Sequence, residues 1–290
     1  MRNWNKNSKI PGQSSVSDSL ATSGPAAGAA QRTSIPGQSA VSDSVATSGP
    51  VAGAAQRTGG SGPRLAANAL EAVGVALPLV ALIACAFVSA YAGAAVSMGA
   101  AAVALVCLFA SYELRRPQLR DIMPTVVLAA AAVAGRLLFA AIPDFKPVSA
   151  IAIMAGVLFG RQSGFMVGAL AALVSNFFLG QGPWTLWQMY AWGMVGYVAG
   201  CLARTGVMDK MPVVLTWGFA SALMYGLIIN SWSVVGFYHP ETLGQAALIY
   251  AAALPFDFTH GVATVVFLLA LFAPWKRKLL RVRDRYGLQG

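Results

Sequence analysis

Charge is scarce in this chain: only 10% of its 290 residues are charged, while 57% are hydrophobic. A soluble globular domain carries about 25% charged residues, so water is excluded as the main solvent for most of the polypeptide. Histidine occurs twice and acidic residues ten times, with neither an HExxH pair nor any other ligand spacing, and no metal or cofactor is expected. The three cysteines, Cys85, Cys107 and Cys201, lie within apolar runs. Their spacing is that of neither a zinc site nor a disulfide framework, and they are expected to be small core residues. No G-x-x-x-x-G-K-[ST] run is present, so any ATP-derived energy is expected to come from another polypeptide. A G-x-S-x-G elbow is missing too, and no catalytic residues are assigned. No compact apolar segment precedes residue 65, which speaks against a secretory signal.

What the chain has is apolar length. After residue 65 the hydrophobic residues form blocks of about 18 or more, the length a helix needs to cross roughly 30 Å of hydrocarbon. Eight transmembrane helices are predicted, at 70–91, 94–112, 122–142, 147–160, 164–180, 186–203, 211–236 and 243–274. The fourth is short for a span, about 21 Å at 1.5 Å per residue, and is expected to be kinked or to borrow its flanks. The formal net charge is +10, but the cations sit in short runs between blocks and after the last one, a topology pattern rather than a nucleic-acid surface. Arg115, Arg116, Arg120, Arg161, Arg204, Lys210 and the run from Lys276 to Arg285 fall on one side, with Lys146 opposite. The positive-inside rule then places both termini in the cytoplasm. The basic tail 276–290 is expected to rest against anionic lipid headgroups.

Residues 1–65 differ in kind. They are rich in Ser, Gly, Ala, Gln and Pro, and a 25-residue unit occurs twice, at 9–33 and 34–58, with four differences. Two copies without bulky apolar residues cannot build a repeat core, so a disordered tail is expected. The predicted organisation is an all-α integral membrane protein with this tail at 1–65, two transmembrane helices at 66–113, a six-helix core at 114–275 and the basic tail.

Polar groups are costly inside a bilayer, so their depth is informative. Counting helical rise from the cytoplasmic edge, Arg136 lies about 22 Å out, Asn176 about 21 Å, Asn230 about 28 Å, Asp257 about 26 Å and His260 about 21 Å. The loop GQGPWTLWQM begins on the outer side as well. This distribution describes a cup open outward, whereas a pore needs polar groups at successive depths. Trp184, Trp187, Tyr190 and Trp192 offer flat apolar area, while Asn176, Gln181, Gln188 and Asn230 offer hydrogen bonds, a mixture suited to an uncharged or weakly charged ring compound. An interfacial aromatic belt accounts equally for Trp184 and Trp187. Arg136 and Asp257 are expected to form an ion pair between helices, with either partner free to face a ligand.

The stretch from Gly135 to Gly200 resembles the core of bacterial energy-coupling factor (ECF) S components. The likeness lies in an ordered series: GR on the first core helix, an outer loop ending in KPV, then AG, FG, SGF, GA, SNF, the GQGPWT loop, WQM and GY-AG. The GPWT/WQM style is most similar to the cobalamin-related branch. This resemblance implies a six-helix, S-component-like core that captures a vitamin or vitamin precursor outside the bacterial cell membrane. It further implies docking on an ECF T component driven by two ATP-binding subunits. The small residues of AAAAVAG then form the partner interface, Ala130 with Ala134 and, in the next row, Ala131 with Gly135, because close backbone approach is what packs helices in lipid. Gly164, Gly168 and Ala172 make a second small face. Two N-terminal helices and the duplicated tail depart from the minimal family form.

Two other classes fit parts of the pattern. A self-sufficient secondary transporter would show inverted repeats and midplane charges. An intramembrane enzyme would use Asp257 and His260, three residues apart on one helix, with a serine nucleophile.

Overall fold

The computed structural model describes residues 61–85 and 90–287. The duplicated segment, expected to be disordered, lies outside the described residues. Eight α-helices follow one another: α1 Ser61–Cys85, α2 Ala90–Leu114, α3 Leu119–Leu138, α4 Val148–Phe159, α5 Arg161–Leu179, α6 Trp184–Ala203, α7 Met211–Ser233 and α8 Leu243–Tyr286. A 3-10 turn precedes α7 and a π-helical turn, Val234–Tyr238, follows it. No strand occurs among the described residues.

Among the described residues, six helices are long and apolar enough to cross a membrane: α1, α2, α3, α5, α7 with its π turn, and α8. A multi-pass membrane protein follows from their length and composition. The other two are α4, with 12 residues, and α6, which has 20 residues but a less apolar sequence. Both are enclosed by protein. Eleven residues of α4 are buried, against α3, α5, α6 and α8. On α6, Trp187, Tyr190, Val195 and Ala199 are inaccessible. A helix sheathed by neighbours needs neither full membrane length nor a lipid-facing apolar surface, because its surroundings satisfy it.

The α5–α6 seam is made by small residues. A β-carbon added at Gly164 would collide with the Gly196 carbonyl, and one at Gly168 with the backbone of Trp192. The small face of Gly164, Gly168 and Ala172 is therefore consumed inside the chain. Gly160, at φ 91°, provides the left-handed turn that lets α4 and α5 follow without a linker.

α8 departs from expectation at its end. It passes through Pro274 and stops at Gly287, with φ 58°, so residues 276–286 are the last turns of the helix rather than a separate tail. α1 and α2 pack together and lie against the α5–α6 face. Phe109 meets Phe165 edge to face, and the Tyr190 hydroxyl donates to the Val75 carbonyl at 2.6 Å. The buried Glu71 carboxylate of α1 accepts from Tyr197 at 2.9 Å, from Arg115 at 2.6 Å and from Arg161 through two nitrogens.

Candidate functional site

The short α4 shapes a cavity. Its first turn starts deep in the bundle, and the connection 139–147 folds over that end, held by Phe139 and Phe145 against Phe267 of α8. The space beneath is about 90 Å3, lined by Arg136, Asp144, Lys146, Val148, Gln188, Trp192, Tyr225 and His260.

Arg136 is its deepest cation, 7% exposed. Its Nη1 donates to Ser175 Oγ and to Asn176 Oδ1, both on α5. The guanidinium carbon lies 4.7 Å from the centroid of the Trp192 ring, within cation–π range. No carboxylate approaches it within 4.0 Å among the described residues, and its Nε is buried without a partner. Trp192 stacks on Tyr225 at 5.0 Å between centroids and 27° between planes. The edge of Tyr225 meets His260, whose Nε2 is 2.7 Å from the fully buried Ser149 Oγ. Three rings and a guanidinium thus form one continuous wall.

Asn176 is the hub behind that wall. Its amide nitrogen donates to Gln188 Oε1 at 2.8 Å and to Thr185 Oγ1 at 3.0 Å, and Thr185 donates onward to Gln181 Oε1 at 2.8 Å. This network fixes the Gln188 side chain at the cavity. Asp144 and Lys146 face the same space from the loop. Burial pushes the Asp144 carboxyl above the ordinary carboxylate range, partly opposed by Lys146. Burial also draws the Lys146 ammonium below the ordinary lysine range, opposed by Asp144 and reinforced by Arg136. The fixed charges are two cations and one carboxylate, so the cavity suits a small molecule bearing a carboxylate or similar anion.

Four of the residues expected in a cup line this cavity: Arg136, Gln188, Trp192 and His260. Asn176 and Gln181 stand one layer behind. Trp184 is 39% exposed, packed on Gly182, and does not line the space. Trp187 is fully buried, edge-on to Tyr190. Asn230 and Asp257, both expected in the cup, are not among the residues that line this cavity. Asn230 is five residues beyond Tyr225, about 140° around the helix, and only Tyr225 lines the space. Asp257 rests its carboxylate against Gly226 of α7, and the expected Arg136–Asp257 ion pair is not formed. Polarity had pointed to Asn230, while an aromatic residue at the inward angle, Tyr225, takes the place. Asp144 and Lys146 were missed because a loop has no helical period from which to read a facing direction.

On α3, Ala130 and Ala134 form a small-residue row that is not buried among the described residues, with Ala130 exposed and Ala134 partly so. Ala131 and Gly135 are half-buried, and Gly135 is closed off by Pro147, so this second row packs internally.

No match to the chain was found among curated proteins or solved structures. Residues 116–281, running from the α2–α3 connection into the last turns of α8, match the model of DUF6580, a family of unknown function. This segment is more than half of the chain, and the protein is a member of the DUF6580 family.

Proposed function

We propose that this protein is the solute-capturing subunit of an ECF-type importer in a bacterial cell membrane. It takes a small, carboxylate-bearing vitamin or vitamin precursor from outside and delivers it through a T component and two ATP-binding subunits. Both termini are cytoplasmic in this reading, all eight helices form the membrane body, and the loop over the cavity is external. The observation that carries the proposal is Arg136, a buried guanidinium held by neutral acceptors, stacked on Trp192 and lining a half-open cavity. A buried cation without a carboxylate partner is costly to keep, and an anionic ligand supplies what is missing. The cavity that holds Arg136 lies at one end of the bundle, where a capture site is needed. Its volume of about 90 Å3, against roughly 300–1,000 Å3 for pockets holding drug-sized ligands, favours a small ring or side-chain acid over cobalamin.

The test is purification of the full chain from its native cells, with native mass spectrometry for bound solute and for co-purifying subunits. A small carboxylated solute together with a T component and ATPases is the expected result. Uptake by this chain alone, driven by an ion gradient, would make it a secondary transporter. Chemical conversion of the bound solute by the purified chain would make it an enzyme.

A further inference from the structure

At the opposite end of the bundle from the solute cavity lies a larger basin of about 440 Å3. Arg64 reaches it from the start of α1, Arg115, Arg116 and Arg120 from the α2–α3 junction, Arg161 from the start of α5 and Arg204 from the end of α6. Among the described residues, the only acidic side chain in its lining is Asp121, already engaged in accepting the Gln118 backbone N–H at 3.1 Å at the start of α3.

Arg115 and Arg161 share the single carboxylate of Glu71, which offsets one of their two charges. Arg64, Arg116, Arg120 and Arg204 have no carboxylate within 4.0 Å among the described residues. The first turns of α3 and α5 both border the basin, adding backbone N–H groups and the positive ends of two helix dipoles. The positive-inside rule asks for cations in these connections. It does not ask that four separate segments direct them into one concavity. Beside the basin, on the same helices, Leu65, Leu119 and Met123 are exposed and apolar, as residues facing acyl chains would be.

We propose that this basin binds the headgroup of an anionic phospholipid carrying two phosphates, taken from the leaflet at that end of the bundle. Guanidinium groups grip phosphate oxygens in paired hydrogen bonds, and the exposed apolar side chains accommodate the acyl tails. The proposal is independent of what the solute cavity binds.

Delipidated full-length protein in detergent is titrated with tetraoleoyl cardiolipin or dioleoyl phosphatidylcholine, and adducts are counted by native mass spectrometry. One cardiolipin is expected to saturate at a concentration at least about tenfold below that for phosphatidylcholine. The combined Arg64→Gln, Arg120→Gln, Arg204→Gln variant is expected to lose at least about tenfold in cardiolipin affinity. Its three substituted side chains are exposed and support no buried contact. Arg120→Glu alone should lose affinity in the same direction. The combined Lys276→Gln, Arg277→Gln, Lys278→Gln variant removes equal charge from α8 and should stay close to wild type. Equal losses in the two triple variants, or wild-type occupancy in both basin variants, would overturn the proposal. Displacement of cardiolipin by millimolar pyrophosphate, with saturable pyrophosphate binding to lipid-free protein, would also overturn it and assign the basin to a soluble phosphate compound.

Discussion

Arg136 donates to a serine hydroxyl and an amide oxygen and lies over an indole ring, so its charge is solvated by neutral groups and remains available to a ligand. Arg136→Gln is expected to weaken binding of a carboxylated solute roughly 10- to 100-fold, from hydrogen bonds to a charged group worth about 1.5–3 kcal/mol. Trp192→Ala should act in the same direction, by removing both ligand surface and the platform under the guanidinium. Trp184→Ala and Asp257→Asn should leave affinity near wild type. Isothermal titration of the four variants checks this, and a strong loss in Asp257→Asn would restore the ion-pair reading. The loop charges make a separate, pH-dependent prediction. As pH falls through the raised range of Asp144, its carboxylate is neutralised and the cavity becomes more favourable to an anion. As pH climbs through the lowered range of Lys146, the ammonium is lost and the anion is held less well. Both effects tighten binding toward acid, for a solute whose own carboxyl titrates below Asp144. Asp144→Asn should flatten the acid side of a pH series of binding constants, and Lys146→Met the alkaline side.

At the scale of elements, α3 divides its small residues between two jobs. One row, Ala131 and Gly135, lies toward α4, where Pro147 fills the space beside Gly135. The other row, Ala130 and Ala134, is exposed alongside Val126, Val127 and Leu138. Ala130→Trp and Ala134→Trp should therefore preserve folding and solute binding while blocking assembly with a T component, since a bulky ring prevents close backbone approach. ATP-dependent uptake in reconstituted vesicles is the measurement, and wild-type rates in both variants would move the interface elsewhere. Sequence periodicity gave both rows the same small-residue spacing. Only the placement of Pro147 distinguishes the inward one.

For the molecule as a whole, Glu71 is a charged link between the α1–α2 pair and the helices matched by the family, beside the Phe109–Phe165 and Tyr190–Val75 contacts. It joins α1 to Arg161 at the start of α5 and to Tyr197 on α6, and it is 3% exposed. Glu71→Gln leaves two partly exposed arginines without their counter-charge, and a loss of about 1–3 kcal/mol is expected after allowing for their solvation. Thermal unfolding in detergent measures it, and Arg161→Gln should cost less when made on top of Glu71→Gln than alone. Orientation is testable on intact cells in a background without the three native cysteines. Cysteines at positions 146 and 184 should react with an impermeant reagent, and a cysteine at position 118 should not. The reverse pattern would invert the topology and place the arginine basin outside.

Composition and block length by themselves determined that the chain is helical and membrane-spanning, because the hydrocarbon thickness sets the length of each apolar run. The eight helices lie where those runs predict them, within several residues at most ends. Depth was legible as well: Arg136, Gln188, Trp192 and His260 sit at one end because helical rise is fixed. Facing direction was not. Asn230 and Asp257 share that depth but look elsewhere, while Tyr225, Asp144 and Lys146 line the cavity. Which side of a helix meets a neighbour depends on how the helices pack, and in an almost uniformly apolar sequence no polar stripe records that choice. The tertiary structure decided it through glycine contacts such as Gly164 with Gly196, which set the rotation of α5 against α6, and through a short α4 that leaves a space for the loop 139–147 to cover.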